Sequence, residues 1–164
     1  MLFFLTIMPI ILKIIMLKDG KNIRMNGFLL NRLWIMFRNM RRKIELEYIF
    51  SSSVKVLFSR LSTPAGLSEW FADDVFQKGN QFIFIWNGSE QPATLVELKS
   101  NAVVRFRWDD AEEEDEYFEF NIHVEPLTGD VALIITDFAD EDEVNDTIEL
   151  WNKQMDILHR NLGA

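Results

Sequence analysis

VNDTIELWNKQMDILHRNL (144–162) carries Val144, Ile148, Trp151, Met155, Leu158 and Leu162 at successive spacings of 4, 3, 4, 3 and 4. Steps of three and four residues return a side chain to the same side of a helix, so the spacing predicts one amphipathic helix of about five turns. Asp146, Glu149, Lys153, Asp156 and Arg160 fall off that stripe. A helix of this kind must bury its apolar face, and the chain before it offers one large partner, a series of strands. Immediately upstream, Thr128-Gly129-Asp130 turns the chain into a strand over 131–138. Tyr117–Glu125 alternates, with Phe118, Phe120, Ile122 and Val124 opposite Glu119, Asn121, His123 and Glu125. Ala102–Trp108 sets Val104, Phe106 and Trp108 against Arg105 and Arg107, and Ala93–Leu98 precedes it. Phe82–Trp86 ends at Asn87-Gly88, the strongest short hairpin signal in the chain.

The first strand is read over Lys43–Phe50, with Ile44, Leu46, Tyr48 and Phe50 on one side. Ser51, Ser52 and Ser53 offer an N-cap to a helix carrying Val54, Leu57, Phe58 and Leu61. Thr63 and Pro64 start a second short helix, which would carry Leu67, Trp70 and Phe71 inward. The expected fold is therefore α+β: a six-stranded curved antiparallel sheet wrapped around a long C-terminal helix, with two short helices after the first strand.

Composition bounds the function. A chain of 164 residues that is 48% hydrophobic can build a real core unaided. The absence of cysteine excludes a disulfide framework, a thiol nucleophile and a Cys-based zinc site. A net charge of −9 argues against a nucleic-acid partner, since that affinity comes largely from neutralised phosphates. The charge is segregated: residues 1–43 hold nine basic side chains and a lone acid, Asp19. Residues 1–39 read as a hydrophobic and basic extension ahead of a domain over 40–164. Residues 2–17 are apolar but shorter than the roughly 20 residues that span a bilayer, and Pro9 and Lys13 interrupt them. No basic n-region or small-residue cleavage site marks a secretory signal. Two readings fit this arm: a weak membrane anchor, or translated AT-rich upstream sequence with Met40 as the true start. A membrane partner follows only from the first, and the domain itself is expected in the cytoplasm.

Five further segments carry a resemblance: FSSSVKVLFSRLSTPAGLSEWFADDV (50–75), FIFIWNGSEQPATL (82–95), VVRFRWDD (103–110), YFEFNIHVE (117–125) and TGDVALIITDFADEDE (128–143). Together with the element order, they resemble the START-like (SRPBCC) superfamily of Bet v 1-like helix-grip proteins over about residues 41–162. They are most similar to bacterial START-like proteins related to activators of the heat-shock protein 90 ATPase. One departure is visible, Lys78-Gly79-Asn80 where the activator-like pattern has paired glycines. The resemblance implies that a small hydrophobic or lipid-like ligand is held between sheet and C-terminal helix. Phe84, Trp86, Phe106, Trp108, Phe118, Phe120, Trp151 and Met155 are the residues that would line the space, since aromatics offer rigid contact area and Met adapts. Trp70 and Phe71 are placed at its mouth or as anchors of the short helix.

The acidic runs, Asp109–Glu116 and Asp137 with Asp140–Glu143 and Asp146, lack EF-hand spacing and its central glycine, so no metal site is read there. The second run is expected to surround the start of the last helix, where acids favour the positive end of its dipole. His123 and His159 pair with no serine in a recognisable motif, and no cofactor motif is present. The reading is a non-catalytic binding or transport domain. The alternatives are a co-chaperone-like module that meets a basic protein partner through its acidic surface, and a cyclase-like enzyme with a polar group in the cavity.

Overall fold

The computed structural model of the protein describes residues 41–111, 113 and 115–163; the extension expected over residues 1–39 lies outside them. The order is β1 (Arg41–Phe50), α1 (Val54–Ser62), α2 (Pro64–Leu67), β2 (Asp74–Lys78), β3 (Gln81–Trp86), β4 (Ser89–Lys99), β5 (Val103–Trp108), β6 (Phe118–Val124), β7 (Val131–Asp140) and α3 (Val144–Leu162). All neighbouring strands are antiparallel, in the order β1-β7-β6-β5-β4-β3-β2.

The described sheet has seven strands, not the six expected. The added strand, β2, reads DVFQK; Val75 is buried while Phe76 is exposed, so no long alternation announces it. It is an edge strand, and its hairpin to β3 turns through Gly79 at φ +63°, within the Lys78-Gly79-Asn80 departure noted above. The β3–β4 turn falls at Asn87-Gly88, both at positive φ, as the sequence predicts. β4 starts earlier than the apolar alternation does, and its register shifts between Leu95 and Glu97. Such an irregularity sharpens local twist and helps curl the sheet.

The register builds one apolar face. Leu46 lies opposite Ile135, Ile135 opposite Phe120, and Phe120 opposite Val104. The next row on that face runs from Phe118 through Phe106 to Leu95. α3 lies over β1 and β7 and buries Trp151, Met155 and Leu158 from the predicted stripe. The Tyr48 hydroxyl donates to Asn152 Oδ1 at 2.8 Å, tying β1 to the helix. His159 stacks on the buried Phe50 ring, centroids 4.0 Å apart. α1 starts as expected, Ser53 accepting from the Val56 amide, and Thr63 caps α2 by accepting from the Gly66 amide at 3.0 Å.

The outer face is polar and laced by ion pairs. Arg105 donates from Nε to Glu119 at 2.6 Å, reaches Glu97 at 3.1 Å, and lies 4.3 Å over the Tyr117 ring. Arg41 grips Glu116 through two bonds of 2.8 and 3.0 Å, joining the start of β1 to the approach to β6.

Candidate functional site

The segment Ser68–Asp73 joins α2 to β2 and crosses the sheet's inner face. Its two ends are fixed. Glu69 pairs with Arg60, and the Glu69 carbonyl accepts from the Asn161 amide near the end of α3. Asp73 donates its amide to the Ile85 carbonyl at 2.9 Å and accepts from the Asn87 amide at 2.7 Å. Between these ties, Trp70 donates its indole N–H to the Arg60 carbonyl at 3.0 Å and goes under the surface. Phe71 follows it inward.

Phe71, expected at the mouth, lies among the candidate ligand residues. Its ring is T-shaped to Phe84 at 5.2 Å and to Trp86 at 5.5 Å, and parallel to Trp151 at 5.7 Å with an interplanar angle of 11°. Phe118 and Phe120 complete the surround at 5.7 and 6.0 Å. These centroid separations fall in the 4.5–7 Å range of attractive aromatic pairs. Phe106 stacks on Phe118 at 5.1 Å, and Trp108 on Phe118 at 4.5 Å. The structure therefore brings all the aromatic candidates into one continuous cluster, which α3 enters through Trp151, with Met155 buried in the same core. Trp86 and Trp108 are only partly buried and form its rim. A surface hollow of about 340 Å³ also exists, but it is lined by Val96, Arg105, Arg107, Asp115, Glu116 and Tyr117, on the polar side of the sheet.

Three polar groups enter this apolar interior, and the sequence reading did not place them there. The Phe71 carbonyl accepts from Trp86 Nε1 at 2.8 Å and from Gln154 Nε2 at 3.4 Å. Gln154 Oε1 is buried and has no hydrogen-bond donor among the described residues. The third is Asp137. It belongs to β7, opposite Ile44 on the inner face, and not to the acids about the start of α3. Alternation from Val131 through Leu133 and Ile135 points to that face, and the acidic company of Asp140–Glu143 obscures it. Only Asp146 of that run sits in the first turn of α3.

Asp137 Oδ2 accepts from Trp151 Nε1 at 2.8 Å, and Oδ1 from its neighbour's amide, Phe138, at 2.8 Å. Burial pushes its carboxyl above the ordinary aspartate range, against the indole and amide donors and the Arg41 charge, which favour the anion. An acid with a raised folded pKa binds its proton more readily folded than unfolded. Its contribution to stability is therefore full below the unfolded midpoint and is lost as pH rises through the folded one. A carboxyl-carbon NMR titration is expected to place Asp137 above the roughly 3.9 of an aspartate in an unstructured peptide. A midpoint at or below that value would mean that the two donors outweigh burial.

Among the described residues, no helix is long and apolar enough to cross a membrane. The family model of the START-like superfamily domain matches residues 38–164. BfR322 from Bacteroides fragilis, a solution NMR structure, is 40% identical, with 74% of this chain and 90% of that chain covered and a TM-score of 0.55. The Aha1 dimer from Colwellia psychrerythraea is 18% identical, covering 74% of this chain and 96% of that one at a TM-score of 0.62. MLL2253 from Mesorhizobium loti is 15% identical, covering 73% and 95% at 0.59. The last two likenesses show the fold alone. No curated protein matches the chain. With the matched span, the sheet closed on a long C-terminal helix and the Bacteroides relative all agreeing, this chain belongs to the START-like superfamily.

Proposed function

We propose that the protein binds a small hydrophobic or lipid-like ligand between its sheet and α3, and that the Phe71 ring occupies that space when no ligand is held. The observation that carries this reading is the placement of Phe71. One side chain, delivered by a six-residue crossing segment tied at both ends, fills the centre of an aromatic chamber whose rim is partly open at Trp86 and Trp108. Rotation of that ring exposes Phe84, Phe118, Phe120 and Trp151 to an incoming apolar body without breaking the sheet or α3. Burial of apolar area, about 25 cal/mol per Å², then drives binding.

The reading is of a holder, not a catalyst. The Asp137 carboxyl, the acid on the inner face, commits both oxygens to Trp151 and Phe138. Native mass spectrometry of protein purified without detergent is expected to show a noncovalent adduct that organic solvent releases. A bare mass, with tryptophan fluorescence unmoved by added apolar aromatics, would overturn the reading.

A second reading is favoured by the exposed acids Asp109, Asp110, Asp115 and Glu141–Glu143, which face solvent and suit a basic protein partner. That association would weaken steeply with salt, because exposed charges are screened beyond about 8 Å at physiological ionic strength. Apolar-ligand binding would not.

A further inference from the structure

Resting on the ligand-binding reading above, we infer that the ligand carries a hydrogen-bond donor, a hydroxyl or an N–H, and that Gln154 Oε1 reads it. A buried acceptor without a donor is costly, and native interiors leave few of them. Gln154 lies one helical turn after Trp151, on the side of α3 that meets Phe71. Its amide orientation is set, because Nε2 donates to the Phe71 carbonyl; flipping the group would bring two acceptors together. The unmatched group is thus the oxygen, on the same side-chain amide that meets the backbone of Phe71, the residue whose ring a ligand would displace.

The neighbouring polar groups sharpen the chemistry. The Phe71 carbonyl is an acceptor that already takes two donors, and the Asp137 carboxyl accepts from Trp151. The N–H groups of Trp86, Trp151 and Gln154 are given to those two acceptors, so the acceptor left open for a ligand is Gln154 Oε1. A neutral alcohol, phenol or amide N–H fits that open acceptor; a carboxylate, which can only accept, leaves it unmatched. The class is an apolar body with a neutral donor at the end nearest Gln154.

The test compares 2-naphthol, 2-methoxynaphthalene and 2-naphthoate, titrated into the full chain and into Gln154→Met. Binding is followed in both by the indole N–H signals of Trp86 and Trp151, and in the parent also by the side-chain amide of Gln154. Methionine keeps the length and helix propensity while removing the orphan, so the variant is expected to fold and melt no lower than the parent. In the parent, 2-naphthol should bind roughly tenfold more tightly than its methyl ether, the worth of one net hydrogen bond. In Gln154→Met the two should bind alike. Equal affinities in the parent, or an unchanged ratio in the variant, would overturn the assignment while leaving a ligand-binding interior in place. So would naphthoate binding tightest. If none of the three moves the interior signals, the ligand-binding reading fails, and this inference with it.

Discussion

Phe71→Ala should cost about 3–5 kcal/mol of folding stability, the range for removing a buried phenylalanine and leaving its cavity. It should also bind an apolar aromatic more tightly than the parent. The two effects have one cause. The Phe71 ring is buried against Phe84, Trp86, Phe118, Phe120 and Trp151, and no neighbour is free to collapse into its place. α3 is held over β1 by the Tyr48–Asn152 bond, and the ends of the crossing segment are tied to Arg60, Asn161, Ile85 and Asn87. The walls therefore stay apart, and the lost contacts are not recovered. For a protein whose whole stability is of order 5–15 kcal/mol, denaturant unfolding will register this clearly.

The gain in affinity follows from the same geometry. In the parent, an incoming ring must first move Phe71, so observed affinity is reduced by the fraction of molecules in which the chamber is open. Alanine removes that cost. Titration of 2-methoxynaphthalene into both proteins is expected to show at least about tenfold tighter binding to Phe71→Ala. Added ligand should also raise its melting temperature by mass action. A variant that loses stability yet binds no better would show that Phe71 is ordinary core, and the proposed occupant would have to be sought elsewhere.

How much of this was legible in the residues depends on the range of the interaction concerned. The α3 stripe, the caps at Ser53 and Thr63 and the Asn87-Gly88 turn are local rules, and each stands where the spacing puts it. β2 escaped because an edge strand that buries only Val75 has almost no periodic signal. Asp137 was hidden by company: five acids within the next nine residues draw the eye to the helix start, although its parity in β7 places it inward. Gln154 and the carbonyl of Phe71 could not have been paired from sequence at all. They are 83 positions apart, and their meeting requires both the crossing segment and α3 to be in place. The aromatic inner face was readable residue by residue; the ring at its centre was a product of tertiary assembly.

That assembly turns on Gly66, and Gly66→Ala should be the most damaging single-methyl addition among the described glycines. The backbone there does not need glycine's left-handed freedom, since its φ is not among the positive ones. Space is what it needs. A Cβ at this position would meet the Arg60 Cα at 2.7 Å, Thr63 Oγ1 at 2.9 Å and, closer still, the Ser59 carbonyl oxygen. Two of those atoms are backbone of α1, so no side-chain rotation relieves them, and α2 must move off α1. Overpacking of a buried site costs about 1–3 kcal/mol and occasionally more. Here the displaced element also delivers Trp70 and Phe71 into the chamber. The indole N–H signals of Trp70 and Trp86 should therefore shift or broaden, since their acceptors are the carbonyls of Arg60 and Phe71. Amides along the β1–β7 ladder, on the far side of the sheet order, should hold their positions. Gly79→Ala supplies the comparison: nothing lies near its Cβ, and only the positive φ of the β2–β3 turn is strained, at a cost of roughly 1 kcal/mol. If the two variants unfold at the same denaturant concentration with unchanged indole signals, the close packing of α1 on α2 does not set the position of the crossing segment. The chamber would then owe its central ring to the ties at Glu69 and Asp73 alone.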